Sequence, residues 1–135
     1  MIGIDTNVLV RYFVQDDVTQ SRAATRLLES VLSQTNKGFI SSIVLCETVW
    51  VLKRCYKTQR AGISRVVKAV LETDVFEVEH RDCAWRAYYD LDEGQADFSD
   101  YYIAQIDKEI GASFTASFDA KALKHRLFKS PEAIQ

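Results

Sequence analysis

Long apolar segments are missing from this chain of 135 residues. No stretch approaches the roughly 20 uninterrupted apolar residues that a membrane-spanning helix needs. Asp5 follows only four residues at the N-terminus, so the apolar core of a signal peptide does not form there. We therefore expect a cytoplasmic protein that does not enter a membrane.

The residues that build many catalytic and metal sites are also scarce. The three cysteines, Cys46, Cys55 and Cys83, are an odd number without close metal-ligand spacing, and we interpret them as reduced and structural. The two histidines, His80 and His125, lie far apart in the chain and are interpreted as surface or structural residues. The five glycines form no phosphate-binding loop. A nucleophilic triad, a zinc site and a P-loop or Rossmann nucleotide site are therefore not supported.

The overall composition is that of an ordinary globular protein. Hydrophobic residues make up 47% of the chain and charged residues 27%, and no repeat or low-complexity linker is visible. A chain of this length can bury a core of its own, so we expect a single domain over residues 1–135. The formal net charge of −2 argues against a generic nucleic-acid binder.

The charges are distributed unevenly along the chain. Residues 53–68 carry six basic side chains and no acid, whereas residues 72–100 carry ten acids and two arginines. Residues 121–129 are basic again. Solvated helix faces explain such runs, and a basic rim around an acidic centre explains them equally well.

Apolar periodicity predicts an alternation of short strands and helices. Strands are indicated at residues 1–4, 38–40, 75–79 and 112–118. Helices are predicted after Asp5 and at residues 17–33, 43–56, 64–71, 84–91, 98–110 and 120–126. Because parallel strands need helical crossovers, this order predicts an α/β sandwich with a mainly parallel sheet.

Two acids directly follow predicted strands. Asp5 comes after the first strand and Asp119 after the last. Ligands of open α/β sheets bind beyond the carboxyl ends of the strands, so we expect both acids at the same edge of the domain. Each acid also directly precedes a helix, and N-capping is an alternative explanation for both.

Glu47 lies within the predicted helix at residues 43–56, which is apolar on nearly every side. Its neighbours three and four positions away are apolar, so no local lysine or arginine can neutralise it. A buried, unpaired carboxylate is costly. We therefore expect Glu47 to be protonated, paired with a distant cation or bound to a metal ion.

Asp97 and Asp100 lie three residues apart at the start of the predicted helix at residues 98–110. Capping explains both, with Asp97 as the N-cap and Asp100 favoured by the positive end of the helix. Helical spacing also places both acids opposite an apolar stripe formed by Ile103, Ile106 and Ile110. Asp100 is therefore also a candidate for the border of a cleft.

Taken together, the acids favour a metal site that comprises Asp5, Glu47, Asp100 and Asp119. Clustered carboxylates repel one another unless a cation binds them. Oxygen ligands suit hard divalent cations such as Mg²⁺ or Mn²⁺. Our hypothesis is hydrolysis of a phosphodiester bond, in which the metal lowers the pKa of a water and a carboxylate orients or deprotonates that water.

Four separated motifs now point to a known family. They read IDTNVL at residues 4–9, ETVW at residues 47–50, ADFSD at residues 96–100 and SFD at residues 117–119. In this order they resemble the PIN domain of the VapC-type toxin ribonucleases. The likeness spans nearly the whole chain, which makes it far more specific than a single Asp-Thr-Asn triplet.

The resemblance implies a three-layer α/β/α sandwich, an acidic pocket that binds Mg²⁺ or Mn²⁺, and endonucleolytic cleavage of RNA. Carried over by motif, the catalytic and metal-binding acids are Asp5, Glu47, Asp100 and Asp119. Asp97 belongs to a motif variant in which it assists the pocket or only caps the helix. Many relatives carry a further acid shortly after the position of Asp119, and this chain lacks it, so a second metal ion is in doubt.

Further roles follow from the resemblance and from charge. Thr6, Asn7 and Ser117 are candidates for positioning ligands or phosphate. An acidic pocket needs flanking cations to hold RNA, and the candidates are Arg11, Lys53, Arg54, Lys57 and Arg60. The resemblance also implies a homodimer and an antitoxin partner that covers the site, as in type II toxin-antitoxin modules.

Two alternatives remain beside this interpretation. A receiver-like signalling module also has carboxylates and Mg²⁺ at strand ends, but it should present paired acids after the first strand, where Asp5 stands alone. A catalytically silent PIN scaffold would bind RNA or protein without cleaving it. Such a scaffold would typically have lost one of the four acids, and all four are present.

Overall fold

The computed structural model describes residues 1–134. Two compact units follow each other along the chain, Met1–Glu79 and His80–Gln135, and each is described by itself. The part of the chain that is described contains six α-helices, and none of its helices is long and apolar enough to cross a membrane.

The first unit combines three short parallel strands with four helices. The strands are β1 (Ile2–Gly3), β2 (Gly38–Ile40) and β3 (Phe76–Val78), in the order β1-β2-β3. The helices are α1 (Thr6–Val14), α2 (Val18–Arg26), α3 (Ser42–Tyr56) and α4 (Arg60–Glu72), and a π-helical turn, Leu27–Val31, continues α2. Since parallel neighbours cannot be joined by a tight hairpin, helices connect the successive strands.

The core of the first unit lies between these helices and the central strand β2. Leu9 of α1, Ile40 of β2 and Leu45 of α3 are fully buried. Gly38 allows close packing at the start of β2, because a Cβ at this position would lie 2.7 Å from Leu32 Cδ1 and 3.0 Å from Ile4 Cγ1. Burial of this apolar face stabilises the sheet, although each strand is only two or three residues long.

Side-chain hydrogen bonds mark the starts of two helices of the first unit. The Asp17 carboxylate accepts the backbone N–H of Gln20 at 2.9 Å and caps α2. The Ser41 hydroxyl accepts the N–H of Val44 at 3.1 Å and caps α3. These caps satisfy backbone donors that have no partner within the helix.

The second unit contains the helices α5 (Arg81–Glu93) and α6 (Phe98–Ile110), which pack against each other, and the parallel strands β4 (Thr115–Ala116) and β5 (Phe128–Lys129). Phe98, Tyr101 and Tyr102 of α6 are buried almost completely. Gly111 ends α6 with a φ of 114°, a left-handed conformation that favours glycine. The helix therefore ends at residue 110, as the sequence predicts.

The α/β class and the parallel pairing of the strands are confirmed. Several predicted elements differ in extent. The helices expected at residues 64–71 and 84–91 begin earlier, at Arg60 and Arg81. The strand expected at residues 112–118 keeps only two paired residues, and the helix expected at residues 120–126 is a short 3₁₀ turn, Ala122–Lys124. β5 was not predicted, because a two-residue strand leaves no periodic signal.

Candidate active site

Asp5 occupies the N-cap position of α1, directly after the buried Ile4 that follows β1. Its backbone is extended, as an N-cap requires, but its side chain makes no capping hydrogen bond. The residue is exposed. The capping alternative therefore explains the position of Asp5 and does not explain its carboxylate.

Thr6 follows Asp5 and is only 3% exposed. Its hydroxyl has no hydrogen-bond partner among the described residues. By contrast, the buried Thr48 hydroxyl of α3 donates to the carbonyl of Val44 at 2.7 Å. Leaving a buried hydroxyl unpaired costs about 1–3 kcal/mol. A bound ligand would explain why the unpaired Thr6 hydroxyl lies next to the Asp5 carboxylate, which makes no capping bond. The neighbouring Asn7 is exposed.

Glu47 lies on an exposed face of α3, so the expectation that its charge is buried is wrong. Its helical neighbours Ile43 and Trp50 are 77% and 56% exposed. The Arg54 guanidinium lies 5.9 Å from the centre of the Trp50 ring. The apolar sequence misled because both sides of α3 carry apolar residues and only the side of Leu45 is buried. The Glu47 side chain is therefore accessible to solvent.

The candidate RNA-binding cations of the first unit fall into two groups. The Arg11 guanidinium is engaged by neighbouring side chains. It lies 2.9 Å from Asp16 and donates hydrogen bonds to Gln20 and Tyr56. The hydrogen bond and ion pair with Asp16 raise the pKa of Arg11. The remaining candidates are all exposed at the end of α3 and the start of α4: Lys53, Arg54, Lys57 and Arg60.

In the second unit, Asp97 and Asp100 form a capping box at the start of α6. The Asp100 carboxylate accepts the backbone N–H of Asp97 at 3.3 Å. The predicted cap is therefore confirmed. The predicted apolar stripe does not form the buried side of the helix, since Ile103 and Ile110 are exposed. The buried side of the helix is formed instead by Phe98 and by the two tyrosines three and four positions after it, Tyr101 and Tyr102.

Asp119 follows β4 and is exposed. One carboxylate oxygen accepts the N–H of Ala122 at 2.9 Å and caps the 3₁₀ turn. Its own N–H donates to the Ser117 hydroxyl at 3.0 Å. Capping therefore accounts for one carboxylate oxygen of Asp119, and Ser117 holds the residue in place.

A pocket of about 540 Å³ in the second unit brings together groups whose meeting the sequence did not indicate. His125 Nε2 lies 3.0 Å from Asp90, and His125 Nδ1 accepts the N–H of Leu127 at 3.1 Å. Because both ring nitrogens are engaged, the structural interpretation of His125 holds. The basic stretch near the C-terminus contributes three cations to the pocket: Lys121, Lys124 and Arg126.

The donor chemistry of the sequence-predicted acids fits a hard divalent cation. All four offer carboxylate oxygens, which Mg²⁺ and Mn²⁺ prefer. Asp5 and Glu47 belong to the first unit, and Asp100 and Asp119 belong to the second. The unpaired Thr6 hydroxyl adds an oxygen beside Asp5. The candidate acids thus offer carboxylate oxygens in both units.

Comparison with known proteins assigns the chain to a family. No curated protein matches the sequence. The sequence model described as the PIN domain matches residues 2–126. This match covers most of the chain and includes every candidate acid. PIN domains are generally metal-dependent nucleases. The chain therefore belongs to the PIN domain family.

Proposed function

We propose that this protein is a metal-dependent endoribonuclease of the VapC type, the toxin of a cytoplasmic type II toxin-antitoxin module. Membership of the PIN family supports nuclease activity in general. The observation that carries the proposal for this chain is Asp5, whose carboxylate follows a strand, caps nothing and lies beside an unpaired hydroxyl. A residue kept only for capping would use its carboxylate for the cap.

We assign the metal ligands to the four acids of the sequence motifs: Asp5, Glu47, Asp100 and Asp119. Asp5 and Asp100 are the first candidates for direct or water-mediated ligation, and Asp119 completes the set. The metal, Mg²⁺ or Mn²⁺, supplies Lewis-acid stabilisation of the phosphate and lowers the pKa of a bound water. We assign Asp97 to capping α6 and not primarily to metal binding, because it forms a capping box with Asp100.

The side chains around these acids have distinct tasks in this proposal. Glu47, exposed on α3, either binds the metal or orients the attacking water and accepts its proton. Thr6 and Asn7 position a ligand or the scissile phosphate. Ser117 orients Asp119 through the hydrogen bond that its hydroxyl accepts.

RNA is held by cations outside the acidic site. Four exposed cations at the end of α3 and the start of α4 are best suited to bind the RNA backbone: Lys53, Arg54, Lys57 and Arg60. Phosphate contacts require accessible side chains. Arg11 contributes less, because Asp16, Gln20 and Tyr56 already engage its guanidinium. A homodimer and an antitoxin that covers the acids complete the proposed module.

Cleavage of a mixed cellular RNA pool by the purified, antitoxin-free chain tests this proposal. We expect discrete fragments with Mg²⁺ or Mn²⁺, none with EDTA, and a loss of at least about 100-fold in the Asp5→Asn and Asp100→Asn variants. Asp5 makes no capping bond, so Asp5→Asn should retain the stability of the fold. Glu72→Gln is the matched control, because this acid is exposed and its ion pair with Lys68, at 3.6 Å, is also exposed.

The outcomes separate the proposal from its alternatives. Metal-dependent fragments in the control and not in the acid variants support the nuclease. Binding of RNA without cleavage by the folded chain, across transfer, ribosomal and messenger RNA, would instead establish a silent scaffold. Cleavage that persists in the Asp5→Asn and Asp100→Asn variants would overturn the assignment of the site.

A further inference from the structure

A cluster of side chains whose donor atoms are of the types that bind metal ions lies in the second unit and uses none of the acids assigned above. It consists of His80 at the N-cap of α5, Cys83 in the first turn of α5, and Glu109 near the end of α6. One ring nitrogen, the thiol sulfur and one carboxylate oxygen lie within 4.8 Å of one another. The start of α5 and the end of α6 thus bring an imidazole, a thiol and a carboxylate together.

The thiol already contacts the carboxylate. Cys83 is completely buried, and its Sγ donates to Glu109 Oε2 at 3.0 Å. A weaker contact of 3.5 Å joins the sulfur to the carbonyl of Gln105. His80 and Glu109 are exposed, so the sulfur closes the cluster on the inner side and water reaches it from the outer side.

The backbone at His80 is a second feature of the cluster. Its φ of 51° is left-handed, a conformation that residues other than glycine seldom adopt. The side chain makes no capping hydrogen bond to α5, so capping does not account for the residue. Conformations of this kind persist where the surroundings demand them, often at ligand-binding sites.

We propose that His80, Cys83 and Glu109 form a site for a transition-metal ion of the Zn²⁺ class, with water as the fourth ligand. Zinc prefers nitrogen, sulfur and oxygen donors at about 2.0–2.3 Å, which places two ligands of a tetrahedral shell about 3.5 Å apart. The three donor atoms lie within 4.8 Å of one another, so their separations need to change by about 1.3 Å at most to reach this spacing. Hard Mg²⁺ would not select this donor set.

The charges of the cluster balance those of the ion. Burial and the Glu109 carboxylate raise the pKa of the Cys83 thiol to about 11, so the metal-free thiol is protonated at neutral pH. Binding breaks the S–H bond, forms a metal–sulfur bond and releases one proton to water. One thiolate and one carboxylate then neutralise the two positive charges, and the imidazole remains neutral.

Arg86 competes with the ion for Glu109. Its guanidinium lies 3.8 Å from Glu109 Oε2, the same oxygen that accepts the thiol hydrogen bond. The Arg86 side chain is 57% exposed and the Glu109 side chain is 50% exposed, so this ion pair is weak. Removing the arginine should therefore strengthen metal binding, whereas removing any of the three ligands should weaken it.

Titration of the reduced, untagged full-length chain with Co²⁺ tests the site. Cobalt occupies zinc sites, and only a thiolate ligand gives a sulfur-to-metal charge-transfer band in the near ultraviolet. We expect this band with one equivalent of Co²⁺, its loss when Zn²⁺ is added, and a rise of the thermal midpoint with Zn²⁺. The readout needs no nuclease activity.

Variants distinguish this site from other thiols and acids. The band should disappear in Cys83→Ser. The His80→Ala and Glu109→Gln variants should bind Co²⁺ at least about tenfold more weakly than the wild type. In Arg86→Gln the band should form at a lower Co²⁺ concentration. Cys55→Ser and Asp5→Asn are controls that should retain it. Because His80 and Glu109 are exposed, their variants keep the test decisive even where Cys83→Ser does not fold.

The proposal fails if the wild-type chain gives no thiolate band at saturating Co²⁺. A band that survives in Cys83→Ser, or that is lost in Cys55→Ser, would assign the metal to another thiol and would also overturn the site. Unchanged Co²⁺ affinity in both His80→Ala and Glu109→Gln would leave a lone thiol contact and not the site proposed here. None of these results depends on whether the chain cleaves RNA.

Discussion

At the scale of single residues, two buried hydroxyls of the first unit lack partners. Thr6 and Ser21 are each 3% exposed, and neither hydroxyl finds an acceptor or donor among the described residues. Thr6 lies next to Asp5, while Ser21 lies on α2. The same defect therefore occurs once beside a proposed ligand and once away from it, which permits a direct comparison.

Replacing Thr6 by Val removes the unpaired hydroxyl and keeps the shape of the side chain. We expect the free energy of unfolding in urea to rise by about 1 kcal/mol, because an unsatisfied buried group is removed. RNA cleavage should nevertheless fall, since the hydroxyl is assigned to ligand positioning. Stability and activity would then change in opposite directions.

Ser21→Ala is the control for this substitution. It removes the other unpaired hydroxyl, so it should leave cleavage unchanged without lowering stability by more than a few tenths of a kcal/mol. A Thr6→Val variant that is less stable than the wild type would show that the hydroxyl is satisfied in solution. Unchanged cleavage in a more stable variant would remove Thr6 from the proposed site.

At the scale of secondary-structure elements, the start of α6 joins a structural task to a proposed chemical one. Asp97 and Asp100 cap the helix reciprocally. An acid at the third position of a helix also interacts favourably with the positive end of the helix dipole. The capping box therefore holds the Asp100 carboxylate in one place, which is what a metal ligand requires.

Substitutions at Asp97 should separate capping from catalysis. We expect Asp97→Ala to lower the free energy of unfolding by about 1 kcal/mol, because alanine cannot accept the backbone N–H. Asp97→Asn keeps an acceptor and should retain both stability and cleavage within a few fold. Urea unfolding and the RNA cleavage assay measure the two effects on the same variants.

Comparison with Asp100→Asn makes this result specific. That variant also keeps an acceptor for the capping box, so its stability should change little while its cleavage is lost. A folded Asp97→Asn variant without activity would contradict the capping assignment and place Asp97 among the metal-binding acids.

At the scale of the whole molecule, the distribution of charge matters more than its sum. The net charge is −2, yet the exposed end of α3 and the start of α4 form a basic segment, with exposed acids at Asp5 and Glu47 in the same unit. Phosphate contacts release counterions, so the salt dependence of RNA binding counts the cations involved.

Removing the basic segment should flatten that salt dependence. In an inactive Asp5→Asn background, binding of a labelled single-stranded RNA is measured by fluorescence polarisation at several salt concentrations. Each lost phosphate contact reduces the slope of log K against log salt by about 0.7. We expect a decrease of up to about 3 when alanine replaces Lys53, Arg54, Lys57 and Arg60.

A matched variant controls for net charge. This variant also loses four cations, namely Arg22, Arg26, Arg65 and Lys68. If the basic segment holds the RNA, the slope of this variant should stay within about one of the parent value. Equal effects of the two variants would show that long-range charge, and not this segment, governs binding.

Much of the local structure follows from the sequence. The caps at Asp17, Ser41 and Asp97 and the stop at Gly111 were predictable, because a helix end is decided by residues within one turn of it. The parallel α/β class followed from the alternation of strand and helix periods. The candidate acids were chosen from their motifs and from their positions at strand ends, at a helix start and within an apolar helix.

Tertiary structure decided what surrounds those residues. The exposure of Glu47 and the unpaired hydroxyl of Thr6 depend on which helix face is covered, and apolar periodicity does not determine this when apolar residues lie on several sides. Glu109 stands 26 residues from Cys83 and meets it only because α5 and α6 pack together. The sequence by itself thus determined the α/β class, most of the helices and several of their caps, through interactions within a turn of helix, and it supplied the candidate acids through their motifs. Only folding decided which distant side chains share a site, because that depends on how the elements pack.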